Sequence, residues 1–109
     1  MVDSCKEFFE QLLPNKFNAE KSEGISLLTQ MNISGANGGN WYINVKDKKL
    51  EINEGTAPEA QNITVEIRDR DFVKLVNGQI TGEKLYLTGK LKFIGDLSDG
   101  MRLRELGII

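Results

Sequence analysis

Four times between Ile25 and Ile67 the sequence alternates apolar and polar residues with a period of two. Ile25, Leu27, Thr29, Met31 and Ile33 fall on one side of the first segment, and Ser26, Leu28, Gln30, Asn32 and Ser34 on the other. After a glycine-rich turn, Gly35-Ala36-Asn37-Gly38-Gly39, come Trp41, Ile43 and Val45 opposite Tyr42, Asn44 and Lys46. Leu50 and Ile52 then alternate with Glu51 and Asn53, and Ile63, Val65 and Ile67 with Thr64, Glu66 and Arg68. Side chains of a strand point to opposite faces in turn, so each segment reads as a half-buried strand. The short links, at the glycines and near Asp47-Lys48, make the first three an antiparallel meander. Glu54 to Asn62, with Gly55 and Pro58, reads as a loop. A sheet with one apolar face must be covered, and the remaining residues must supply the cover.

They carry helical patterns. Cys5, Phe8, Phe9, Leu12 and Leu13 follow the spacing of one helical face, with Ser4 and Glu7 as a capping box and Pro14 as the expected stop. Asn15 to Gly24 is polar apart from Phe17 and Ala19 and leaves room for a second short helix. Asp69 is the expected N-cap of a helix running to about Asn77, with Phe72, Leu75 and Val76 as its apolar stripe and Gly78 as its stop. Residues 80–88 fit an irregular helix, an extended segment, or both in turn. Gly89 to Gly95 reads as a fifth strand, with Leu91 and Phe93 facing one way and Ile94 breaking the alternation. Asp96 is placed to cap a last helix whose apolar residues, Leu97 with Met101 and Leu103 with Leu106, form two stripes.

Composition narrows the function. The 109 residues amount to one domain, 1–109. They contain no histidine, which removes the commonest general base and metal ligand together with every histidine-based triad. One cysteine allows neither an intrachain disulfide nor a structural zinc cluster, and Cys5 reads as a small buried hydrophobe. No Gly-Lys-Ser/Thr triplet marks a P-loop, and the glycine-rich stretch joins two strands instead of opening a helix. No catalytic residue, metal or cofactor is expected. The net charge of -2, with the densest basic run at Lys46-Asp47-Lys48-Lys49 on a hairpin tip, speaks against nucleic acid. No apolar run approaches membrane-spanning length. Met1-Val2-Asp3-Ser4 does not read as a signal peptide, nor the C-terminus as a peroxisomal address, so a cytoplasmic location is expected.

Three stretches resemble a known family. Asp69-Arg70-Asp71-Phe72-Val73-Lys74-Leu75-Val76-Asn77-Gly78 is similar to an acidic-x-acidic-Phe helix ending in glycine. Gly89-Lys90-Leu91-Lys92-Phe93-Ile94-Gly95 is similar to a Gly-Lys-Leu-Lys strand that precedes a helix with Met101, Leu103 and Leu106. Trp41-Tyr42-Ile43-Asn44-Val45-Lys46-Asp47 is similar to a Trp-led second strand. In this order they resemble the sterol-carrier-protein type 2 lipid-transfer family, over residues 5–106. The chain departs from that family at the second hairpin tip, where Lys48-Lys49 stands in place of a common glycine, and it ends soon after the last helix.

The resemblance implies an α+β fold: a five-stranded, mainly antiparallel sheet with helices covering one face and enclosing a hydrophobic tunnel. It implies a non-catalytic carrier of a fatty acid, acyl-CoA, sterol or phospholipid. The residues bounding such a cavity would be Phe72, Leu75, Val76, Leu87, Leu91, Phe93 and Met101. The alternative is an interaction module of the same fold with a filled cavity, serving as a homodimer or as a partner of a lipid-modifying enzyme.

Overall fold

The computed structural model describes residues 2–108; Met1 and Ile109, which end the two terminal segments read above, lie outside the described residues. The alternating segments form β1 (Leu27–Ser34), β2 (Gly39–Lys46), β3 (Lys49–Glu54) and β4 (Ile63–Arg68), and the fifth strand is β5 (Leu91–Gly95). They make one sheet in the order β3-β2-β1-β4-β5. Three of its pairings are antiparallel, and β4 lies parallel to β1. The sheet is thus mixed but mainly antiparallel, as expected.

The parallel pairing needs a crossover, and the loop after β3 provides it. Gln30, buried on the polar face of β1, pins that loop: its amide donates to the Gly55 carbonyl at 3.1 Å and its carbonyl accepts the Ala57 N–H at 2.8 Å. At the loop's end, Asn62 holds Leu28 through side chain and backbone alike. Both amide functions of Gln30 are satisfied, which is what allows a polar side chain to be buried there.

The register puts the expected residues on one face. Met31 pairs with Trp41 and Val65, Thr29 with Ile43 and Ile63, Ile43 with Ile52, Val65 with Phe93, and Ile67 with Leu91. Ile25 falls outside β1, which begins at Leu27. The hairpin between β2 and β3 turns on Asp47 and Lys48, whose φ angles of 52° and 62° are left-handed. These are the backbone angles of a type I′ turn, adopted here without glycine.

Helices cover the apolar face. The first helical run is α-helical over Cys5–Glu7 (α1), widens into a π-helix over Phe8–Leu12 and returns to α-helix over Leu13–Lys16 (α2). Pro14 therefore does not stop the helix. In the widened turn the Leu13 N–H reaches back five residues to the Phe8 carbonyl, so the pattern has already shifted where proline lacks its donor. The Ser4 hydroxyl accepts the Glu7 N–H at 3.1 Å, while the Glu7 carboxylate returns to the Asp3 N–H, one residue short of a full capping box. Between α2 and β1 only a 3-10 turn forms, over Glu20–Ser22.

Helix α3 spans Asp69–Val76, α4 spans Gly82–Leu87 and α5 spans Leu97–Glu105. Asp69 is not the N-cap of α3; that position falls to Arg68, and Asp69 is the first helical residue. The ambiguous stretch 80–88 resolves into α4, capped by the Thr81 hydroxyl on the Lys84 N–H at 3.1 Å. Asp96 caps α5 by accepting from the Ser98 N–H and hydroxyl, as expected. Among the described residues no helix is long and apolar enough to cross a membrane.

Candidate functional site

The space between sheet and helices is occupied by aromatic rings. Phe9 stacks on Trp41 of β2 and on Phe72 of α3, and Phe8 meets Phe9 and Phe72 edge-on. Around them Leu13, Met31, Ile43, Ile63, Leu85, Leu103 and Ile108 are fully buried. One polar group shares this face: the Thr29 hydroxyl, buried between Ile43 and Ile63, has no hydrogen-bond partner.

At the β3 edge the helical run leaves part of the sheet uncovered. A groove of about 400 Å³ opens there, floored by Phe9, Trp41, Leu50 and Ile52, with Pro14, Glu10 and Glu54 at its sides. This size falls within the range of roughly 300–1,000 Å³ typical of small-ligand sites. Leu50 and Ile52 belong to an edge strand, and they are only half-buried because no helix covers them fully.

Of the seven residues expected around a ligand, Leu91 and Phe93 belong to β5 and Leu87 to α4 beside it, whereas Phe72 of α3 stacks on Phe9 in the core. Phe72, Leu75 and Leu91 are buried, and Val76 and Phe93 are half-buried against the core. Leu87 is 73% exposed and Met101 64%. Their elements adjoin. A methyl on Gly82 of α4 would touch the Leu75 side chain, and one on Gly100 of α5 would come within 2.9 Å of the Phe93 ring. The second contact explains a glycine in mid-helix, a placement that costs about 0.5–1 kcal/mol relative to alanine. It lets α5 approach the Phe93 ring closely.

The two stripes of α5 divide accordingly. Leu103 and Leu106 are buried, whereas Leu97 (65% exposed) joins Met101 in water. None of the seven residues lines the Phe9–Trp41 groove. The groove residues were legible only as apolar strand and helix faces.

Cys5 lies buried with its thiol pushed up to about 11, first by burial and then by the Asp69 charge. It therefore stays a neutral thiol at physiological pH.

The sequence profile of the SCP-2 sterol transfer family matches residues 7–106. Among curated proteins, hydroxysteroid dehydrogenase-like protein 2 of Rattus norvegicus is 23% identical over 88% of this chain, which spans only 18% of that protein. Among solved structures, apo sterol carrier protein 2 from Yarrowia lipolytica superposes with a TM-score of 0.76 at 21% identity, covering 98% of this chain and 93% of that one. Sterol carrier protein domain 2 of Helicoverpa armigera gives 0.74 at 26% identity, covering 93% and 80%. The superpositions agree in fold with the profile match, which covers most of the chain, and the chain belongs to the SCP-2 sterol transfer family.

Proposed function

We propose that the chain is a non-catalytic lipid-binding module that holds the apolar part of a fatty acid, acyl-CoA, sterol or phospholipid at the β5 edge of its covered face. One observation carries this reading. The seven residues grade from exposed to buried: Leu87 and Met101 are exposed, Phe93 and Val76 half-buried, and Leu75, Leu91 and Phe72 buried. A contiguous exposed apolar patch marks a surface that meets something, and this reading requires Leu87 and Met101 to form one. Each lipid methylene buried against such a patch contributes about 0.8 kcal/mol before the costs of association. A long tail needs few polar contacts, which fits a site with no histidine and a neutral buried thiol.

Native mass spectrometry of the purified protein, followed by solvent extraction and titration with a fluorescent fatty acid, tests this. A co-purifying or added lipid bound in a saturable way is expected. A protein that arrives empty and takes up no probe would overturn it.

A second reading is favoured by the aromatic filling of the interior and by the small share that this chain spans of its enzyme-named relative. In it the exposed Leu87, Leu97 and Met101 cover a second copy or a lipid-modifying enzyme. Light scattering that shows a concentration-dependent dimer, with no lipid uptake, would select it.

A further inference from the structure

On the other flank of the first helical run lies a second cleft, of about 700 Å³. It is bounded by the start of α1, the glycine turn and the first two turns of α3. We propose that this cleft binds a phosphate group, held by Arg68, Arg70 and Lys74. It is independent of the proposed tail contact, since none of the seven residues of that contact lines the cleft.

The three cations converge by construction. Arg70 and Lys74 are four apart on α3, hence one turn apart on the same face with about 5–6 Å between their Cβ atoms. Arg68 ends β4 just before that helix. Among the described residues the ion pairs involve Lys6, Lys48 and Arg102, and none involves these three.

The cleft also contains Asp3 and Asp69, and the Asp69 charge is felt by Arg70 and Arg68. Its two carboxylate oxygens accept the Arg70 N–H at 2.8 Å and the Asn37 N–H at 3.0 Å, so it knits the glycine turn to α3. The lining keeps one net positive charge on a chain whose total is -2.

Guanidinium groups present paired N–H donors that match two phosphate oxygens at once, and such charge-assisted bonds are about twice as strong as neutral ones. Three cationic donors around one concavity suit a tetrahedral anion with several outward oxygens better than a planar carboxylate. The phosphate could belong to a soluble ester or to a lipid headgroup at a bilayer surface, and the experiment separates the two.

The full chain is titrated with inorganic phosphate and phenyl phosphate while backbone amide shifts are followed. In parallel it is sedimented with phosphatidylcholine vesicles, with and without phosphatidic acid. The Arg70→Gln/Lys74→Gln variant is the control. Arg70 and Lys74 are exposed, so the fold should persist, which circular dichroism checks.

Saturable shifts at Gly35–Asn37 and Asp69–Lys74 are expected, weakened about tenfold or more in the variant by the loss of charge-assisted bonds. Shifts with soluble phosphates identify a soluble ester. Selective sedimentation with phosphatidate vesicles alone, lost in the variant, identifies the headgroup. Absence of both responses, or responses the variant leaves unchanged, would overturn the proposal.

Discussion

Phe9 lies on Trp41 with ring centroids 4.7 Å apart and planes 18° from parallel, so a helix residue and a strand residue share one stacked contact. The same Phe9 ring stacks on Phe72 at 5.4 Å and 14°, tying α3 into the contact. Removing it should be felt by three elements at once. Phe9→Ala is expected to cost about 3–5 kcal/mol, the usual loss for a buried phenylalanine, which is a large part of a small domain's stability of roughly 5–15 kcal/mol. A Phe9→Leu/Trp41→Leu double-mutant cycle, read by urea denaturation, should return a coupling of about 0.5–1.5 kcal/mol. Additive losses would mean the rings act only as independent hydrophobes.

Cys5 gives a pH signature. Its thiol has an ordinary value of 9.0 and is held at about 11 in the fold. The folded state therefore keeps a proton that the unfolded state releases. The resulting stability is complete below pH 9.0 and is lost as pH rises toward about 11. Urea midpoints should fall across that window in the native protein and fall less in Cys5→Ala. A thiol reagent should react slowly at neutral pH until denaturant is added.

The strands were readable because one face is wet: alternation from Leu27 to Ile67 survives wherever a strand meets water on one side. The helix ends were less readable. Pro14 was expected to end a helix because it lacks an N–H, and nothing local announces that a π turn over Phe8–Leu12 shifts the ladder before it. Asp69 looks like an N-cap in sequence, but Asn37 is 32 residues away, and only the folded turn supplies that partner. Exposure was the least readable property. Leu103 and Met101 are two residues apart, yet one is buried and the other in water. Two positions apart on a helix means about 200° around it, so the two stripes were legible; which stripe is buried depends on how α5 docks, with Gly100 against the Phe93 ring.

Thr29 offers a test in the stabilising direction. Its hydroxyl is buried on the apolar face with no partner. Such a group carries a desolvation penalty of about 1–3 kcal/mol, and replacing it with an apolar group of the same shape removes that penalty. Thr29→Val should therefore raise stability by about 1 kcal/mol, seen as a higher urea midpoint with an unchanged slope. A loss of stability instead would show that the hydroxyl is bonded in solution.

The Asp69 link between the glycine turn and α3 should be sensitive to acid. The backbone N–H groups of Asn37 and then Arg70 hold its carboxyl below the ordinary value of 3.8. Its contribution is then fully present above pH 3.8 and lost as pH falls through the lower folded value. Asp69→Asn should differ from the native protein in urea midpoint at neutral pH, and the difference should shrink in strong acid. Gly35→Ala should mimic the loss at all pH values. Gly35 has φ 109°, and an added methyl would collide with the Asp69 carboxylate.

A tail has two candidate contacts, the groove at the β3 edge and the exposed Leu87 and Met101, and the single tryptophan distinguishes them. Trp41 floors the groove at the β3 edge, whereas Leu87 and Met101 stand at the β5 edge. If the tail enters by the β5 edge, Leu87→Asp and Met101→Asp should each weaken fatty-acid binding by about tenfold, the order expected for losing one apolar side chain from the contact. Both residues are exposed, so stability should stay within about 0.5 kcal/mol. Trp41 emission should then hardly respond to ligand. The reverse pattern, a shift in Trp41 emission on binding with both variants binding as the native protein does, would move the tail to the groove of Phe9, Trp41, Leu50 and Ile52. There Glu10 and Glu54 flank the apolar floor, so raising the salt concentration should strengthen the binding of an anionic fatty acid by screening the repulsion.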